Sequence, residues 1–302
     1  MGSKFLFLFL DGVGIGPDHE EANPFVLART PYLTNLIGGK LTRTLLERRC
    51  QRVLFARLDA TLGFDGLPQS ATGQTSLIAG INGAEVMSGH YGPWPGPTLK
   101  SALDKGTLFS RANCFRGGAI LANAYPPSYF KALERRRFRV NVPVYAALAS
   151  GGKLASINEL VDREAVSGDI TREALRKTVP NLNPLSPGEA GNDLAKMSRK
   201  HTFTFFDFWM TDRVGHRGSF QEALDIVEKV DKVIGGVLEE LGLNTTLIIS
   251  SDHGNIEEMN TSLHTRNPVP LIVYGPEAER FRNAKTLTDV PKIIYKVWGY
   301  PG

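Results

Sequence analysis

The stretch Lys4-Phe5-Leu6-Phe7-Leu8-Phe9-Leu10-Asp11-Gly12-Val13-Gly14 decides the fold. An unbroken apolar run that stops at a turn signal is the pattern of a strand covered on both faces, so Phe5 to Leu10 is predicted to lie mid-sheet. The run is short, meets Asp11 at once and has no small-residue cleavage site, which separates it from a signal peptide. A carboxylate at the carboxyl end of a central strand stands where an open α/β sheet gathers its ligands.

Outward from that strand, Thr30-Pro31 opens a predicted helix through Ile37, with Thr as N-cap, Pro at the first position and Gly38-Gly39 as the stop. Arg43 to Leu58 carries enough β-branched and apolar residues for one or two strands. Ser70 is predicted at the start of a short apolar helix ending at Gly80. Gly89 to Pro97 is too rich in Gly and Pro for regular structure, Thr98 to Arg111 has helical spacing, and Ala119 to Ala122 is a further strand. Sheet signals return at Phe203–Trp209, Leu247–Ser250 and Pro270–Tyr274, with a long amphipathic helix from about Ser219 to Leu241. Strands alternating with helices on both sides of an insertion predict one α/β sandwich, built from 1–124 and 196–302. Between them, 125–195 is polar, interrupted by Gly, Pro and Asn, and carries the basic cluster Arg135-Arg136-Arg137-Phe138-Arg139; it is expected to form a small inserted cap.

Composition narrows the class. The chain of 302 residues is 42% hydrophobic and 22% charged, enough for a substantial core. A net charge of +4 and a sequence pI near 9.0 suit a small anionic ligand and are too weak a bias for nucleic acid. No apolar stretch approaches the roughly 20 residues that span a membrane. Cys50 and Cys114 make neither a disulfide framework nor a thiolate site; they are expected to be small buried hydrophobes, in keeping with a reducing cytoplasm.

The chemistry lies in residues that recur at strand ends. Asp11 follows the first strand, and Asp252-His253 follows Leu247–Ser250. Asp212 and His216 are four residues apart, spaced for one face of a helical turn, although Gly215 makes a tight loop equally possible. His264 sits in the polar loop before the last strand. Each alone is unremarkable: a turn former, a surface pair, a solvated histidine. Their joint placement points to metal binding. Of the six histidines, His19, His90 and His201 lack such a position and are read as ordinary loop or surface groups. Carboxylate and imidazole donors without thiolate suit Mn²⁺ or Zn²⁺ better than Mg²⁺. Two such ions would stabilise both the attacking and the leaving oxygen of a phosphoryl displacement, and Ser70 at a helix N-terminus becomes the candidate nucleophile.

With these residues the sequence resembles the alkaline phosphatase superfamily, in its metalloenzyme branch with cofactor-independent phosphoglycerate mutase and phosphopentomutase. The resemblance covers Leu8 to Pro17, Thr30 to Leu36, Pro68 to Asn82 and Phe206 to Pro276. It implies one metal held by Asp11, Asp252, His253 and Ser70, and another by Asp212, His216 and His264. It also implies a three-layer α/β/α sandwich with the site at the carboxyl ends of the strands, and a Ser70 that is phosphorylated in turnover. Gln74 departs from the mutases, which carry histidine there, and with Asn123, Arg135, Arg136, Arg137 and Arg139 it is a candidate substrate contact; Tyr125 and Tyr129 are candidates by location. A cap of about 70 residues is small for enclosing a dephosphorylated intermediate. The expectation is therefore phosphomonoester hydrolysis, with intramolecular phosphomutase activity or non-catalytic binding of a phosphate ligand as alternatives.

Overall fold

The computed structural model describes residues 2–300 except 136, 137, 180 and 181. Its centre is a seven-stranded sheet in the order β2-β3-β9-β8-β1-β7-β4. The strands are β1 (Lys4–Leu10), β2 (Arg48–Cys50), β3 (Val53–Leu58), β4 (Ala119–Leu121), β7 (Phe203–Phe208), β8 (Thr245–Ser250) and β9 (Val269–Tyr274). Two short strands, β5 (Asn123–Ala124) and β6 (Val166–Ser167), pair separately. β1 lies between β7 and β8, parallel to both, with Phe7 opposite Phe205 and Ile248. β9 runs antiparallel to β8, so the loop entering β9 meets the chain leaving β8 at one edge of the sheet. That edge collects Asp11, Asp252, His253 and His264.

The aromatic–aliphatic alternation of β1 distributes it between two cores, because successive side chains of a strand point to opposite faces. Phe5, Phe7 and Phe9 join Phe203 and Phe205 under the helices Ser70–Ala79, Leu108–Ala112, Val142–Ala149 and Asp289–Val297. Leu6, Leu8 and Leu10 join Phe206 and Phe208 under Pro31–Ile37, Pro187–Lys200 and Phe220–Glu240. The three layers that the resemblance implied are present. Pro187–Lys200 and Phe220–Glu240 pack backbone to backbone: a Cβ on Gly191 would lie 2.2 Å from the Val233 carbonyl oxygen, and one on Gly236 only 2.0 Å from that of Gly188.

Phe205 is fully buried, with ring centroids 5.2 Å from Phe7, 5.6 Å from Phe9 and 5.9 Å from Phe109. Phe205→Ala is expected to lower stability by about 3–5 kcal/mol, read from the urea midpoint at unchanged slope.

Several local expectations need adjustment. The helix predicted over Thr98 to Arg111 is two helices, Pro97–Leu103 and Leu108–Ala112, the second starting at a Thr107–Ser110 capping box. Such a cap satisfies the first amides of a new helix and favours restarting over continuing. Thr30 precedes the Pro31–Ile37 helix without a side-chain capping bond. Cys50 and Cys114 are both exposed, contrary to the buried placement expected; Cys50 ends the sheet's edge strand β2, and Cys114 lies in the turn after Leu108–Ala112. Within 125–195, the helices Val142–Ala149 and Pro187–Lys200 contribute to the two sheet-facing layers. A smaller apolar cluster of Ala124, Ala155, Leu160, Ala165 and Leu182 forms beside them. Among the described residues no helix is long and apolar enough to cross a membrane.

Candidate active site

Ser70 is the first residue of the Ser70–Ala79 helix, its backbone amides unsatisfied by any side chain of the N-cap Gln69. Its hydroxyl lies 3.1 Å from Nε2 of His253. Asp212 and His216 both ride on the helix Met210–Arg217, which decides between the helical turn and the loop in favour of the turn. Gly12, at φ +68°, opens the space for this approach: a Cβ there would meet the Asp212 carboxylate at 2.7 Å. Left-handed backbone and close contact together call for glycine.

The seven residues singled out by sequence converge. His253 Nε2 is 3.4 Å from Asp11 Oδ1 and 3.6 Å from Asp252 Oδ2. Asp212 Oδ1 is 3.4 Å from His216 Nε2 and 3.6 Å from His264 Nε2. Donor atoms of Asp212, His216 and His264 lie within 4.8 Å of one another, and so do those of Asp11, Asp212 and His253. Asp212 therefore stands within reach of both sets, where the resemblance gave it to one. The stacked rings of His253 and His264, with centroids 3.7 Å apart, join the sets.

The hydrogen bonds around the imidazoles test whether cations fit. Each Nδ1 faces a backbone carbonyl: His216 that of Ser262 at 2.6 Å, His264 that of Pro68 at 2.7 Å, and His253 that of Gly254 at 3.4 Å. A carbonyl only accepts, so Nδ1 carries the proton and the Nε2 lone pair points inward, the arrangement of metal-ligating histidine. Nε2 of His216 and Nε2 of His264 are 3.0 Å apart. Two lone pairs at that distance repel, and a shared cation removes the conflict. The buried Asp11 Oδ1 has no hydrogen-bond partner. The donor set thus fits divalent ions.

Electrostatics agree. Burial raises the Asp11 carboxyl well above the ordinary carboxylate range, and the neighbouring Asp252 and Asp212 charges push it further. Asp252 is pushed up to about 7, first by burial and then by Asp212. Burial lowers His253 to about 3, which keeps its imidazole neutral. Clustered carboxylates held at this cost, beside a neutral imidazole, are the usual signature of a functional site.

The remaining candidates separate. Gln74 is buried beneath the ligands, its Nε2 donating to Asp11 Oδ2 at 3.3 Å and Asp252 Oδ2 at 3.1 Å. It orients carboxylates, and the substrate-facing role expected for it does not match this position. Asn123 is also occupied, its Nδ2 donating to the Asp207 carbonyl and its Oδ1 accepting from the Asp207 amide. Arg139 lies over the Trp94 ring, 5.7 Å from its centroid, and lines a cavity with Asn123, Tyr125 and Tyr129. Arg135 lies exposed in the bend just beyond the Pro127–Leu133 helix, apart from that cavity. Arg136 and Arg137 fall outside the described residues.

Sequence reasoning passed over three supporting residues. Asn255 donates from Nδ2 to Asp212 Oδ1 at 2.8 Å. Glu257, fully buried, accepts from the amides of Gly14 and Asn255 and from Thr265 and Asn267, tying together the loops that carry Asp11, Asp252 and His264. Asp207 is a carboxyl inside β7 that burial pushes up to about 7. A charge within the aromatic run Phe205-Phe206-Asp207-Phe208 was the available signal for the last.

Comparison with known proteins follows the same lines. A sequence model of the metalloenzyme superfamily matches residues 176–300. The chain is 32% identical over 120 residues to the 2,3-bisphosphoglycerate-independent phosphoglycerate mutase of Thermomicrobium roseum, covering 35% of this chain and 23% of that one. It is 39% identical over 113 residues to phosphoglycerate mutase 2 of the same kind from Methanosarcina barkeri, covering 34% and 21%. It therefore spans less than a quarter of these curated relatives. Among solved structures, alkaline phosphatase from the Antarctic bacterium TAB5 superposes with a TM-score of 0.60 at 13% identity, covering all of both chains. Phosphoglycerate mutase of Leishmania mexicana gives 0.53 at 13% identity, covering 100% of this chain and 96% of that one. At such identities these two show a shared fold.

Proposed function

We propose, for a chain related to the metalloenzyme branch of the alkaline phosphatase superfamily, that it is a two-metal phosphoryl-transfer enzyme acting on a small phosphorylated metabolite through Ser70. The observation that carries this is the convergence of inward-facing Nε2 atoms and buried carboxylates around one serine at a helix start. Asp11, Asp252, His253 and Ser70 would hold one divalent ion, and Asp212, His216 and His264 the other, with Asp212 near both. Bound there, the ions, Mn²⁺ or Zn²⁺ by donor chemistry, supply charge neutralisation and a lowered pKa for a coordinated hydroxyl.

The protein's own groups do the rest. The Ser70 oxygen forms a bond to phosphorus as the ester P–O bond breaks, and the serine proton is matched by the one taken up by the departing alkoxide. The amides of Ser70 and Ala71, at the start of the Ser70–Ala79 helix, favour the anionic phosphoryl group, while that of Thr72 donates to the Tyr91 carbonyl. Gln74 and Asn255 keep the carboxylates aimed. The phosphoryl group then leaves Ser70 for an acceptor hydroxyl, and a proton returns to the serine oxygen.

The acceptor distinguishes the two forms of the reaction. Similarity to enzymes named as phosphoglycerate mutases supports return to a second hydroxyl of the bound product better than the hydrolysis expected from the small cap. The test is ³¹P NMR of phosphomonoesters of polyols and of nucleosides incubated with the Mn²⁺-loaded protein. A phosphomutase moves the resonance between ester positions with little inorganic phosphate; release of phosphate alone establishes the hydrolase, and no change on any ester leaves the binding protein.

A further inference from the structure

Beside the candidate metal centre lies a cavity of about 530 Å³ that phosphoryl transfer itself does not require. Met210 and Arg213 of its wall flank Asp212 in sequence. Trp94 belongs to the 89–97 loop, which packs against the nucleophile: a Cβ on Gly92 would come within 3.3 Å of the Ser70 amide nitrogen. An ester whose phosphorus sits at Ser70 thus has room for its organic part here. The size is that of a small-molecule site.

Two features define what fits. The walls are aromatic: Trp94, Tyr125, Tyr129, Phe138 and Trp209 all line the cavity, with Tyr125 and Tyr129 ring centroids 4.3 Å apart and Phe138 set edge-on to Tyr129 at 5.2 Å. At its base, Asp207 is 2% exposed, and its Oδ2 accepts from Asn141 Nδ2 at 2.6 Å while its Oδ1 has no partner. A buried acceptor without a donor is costly, and a ligand that supplies one removes that cost. Arg139 and Arg213 offset Asp207 and Asp169 along the lining, so the cavity is balanced in charge and does not select a cation.

We propose that this cavity holds the organic part of the ester, a group carrying a flat ring, nucleobase-like, whose N–H or O–H donates to Asp207 while its faces lie against the tryptophans and tyrosines. This rests on the phosphoryl-transfer reading for its biological sense, but binding of the ring needs neither metal nor Ser70. A three-carbon acid such as phosphoglycerate would leave the aromatic walls without a partner.

Trp94 and Trp209 are exposed to the cavity, so their fluorescence reports occupancy of the site. The experiment titrates the full chain with unphosphorylated adenosine, guanosine, cytidine and uridine, with phenol as a bare ring and glycerol as a ringless control. Saturable quenching by at least one nucleoside or by phenol, absent with glycerol, is expected. In Trp209→Ala and Asp207→Asn it should weaken about tenfold or more, through lost stacking and a lost hydrogen-bond acceptor respectively. Trp209→Ala changes a partly exposed side chain, so it keeps the test decisive should Asp207→Asn not fold. Quenching by none of these rings, in protein that still binds Mn²⁺, overturns the proposal; so does quenching that Trp209→Ala leaves unchanged. Failure of phosphoryl transfer with ring binding intact would instead count against the reading of Ser70.

Discussion

Ser70→Ala is expected to lower phosphoryl transfer by about 10³-fold or more, because it removes the hydroxyl that stands at a helix N-terminus with His253 Nε2 3.1 Å away. The lost hydrogen bond to His253 is worth about 1 kcal/mol, too little to unfold the chain. Product formation at saturating ester and metal content measured on the same preparation check this together. Retention of more than about a tenth of the activity, with metal bound, would remove Ser70 from the mechanism.

The second large effect is the response of stability to metal and pH. In the metal-free protein, Asp252 titrates near 7 and Asp11 well above its ordinary range, whereas both lose their protons near 3.9 once unfolded. Between about pH 4 and 7 these two carboxyls, with Asp207 also raised to about 7, hold more protons folded than unfolded and outnumber the one that buried His253 forgoes, so stability falls as pH rises. The loss is on the order of 2–4 kcal/mol across that window. Divalent ions reverse the trend, since they displace those protons and bind more tightly as pH rises. With chelator present, the melting temperature should drop from pH 5 to pH 8. Excess Mn²⁺ or Zn²⁺ should raise it by about 5–15 °C at pH 8 and by less at pH 5. A melting temperature indifferent to both ions at pH 8 would mean that the seven residues do not form a metal centre.

Both predictions depend on geometry that the sequence displayed unevenly. The motif residues were legible because ligand positions in an open sheet are tied to strand ends, and strand ends are marked locally by apolar runs that stop at Asp, Gly or Ser. Gln74 was visible as a departure from a pattern, yet its direction was not: only the packing of the Ser70–Ala79 helix over β1 and β8 turns its amide onto Asp11 and Asp252. Glu257 and Asn255 stood in a polar loop among many similar residues. Their role arises from three loops meeting at one edge of the sheet.

By itself the sequence determined the α/β alternation, the central place of β1 and the identity of the candidate ligands. These follow from periodicity and side-chain chemistry, which are local properties. Tertiary structure alone decided that Asp212 faces both ligand sets, that Pro187–Lys200 joins a sheet-facing layer, and that Asp207 lies unpartnered at the base of an aromatic cavity. Each of those depends on which distant segments come into contact, and composition and spacing within a single segment carry no record of that.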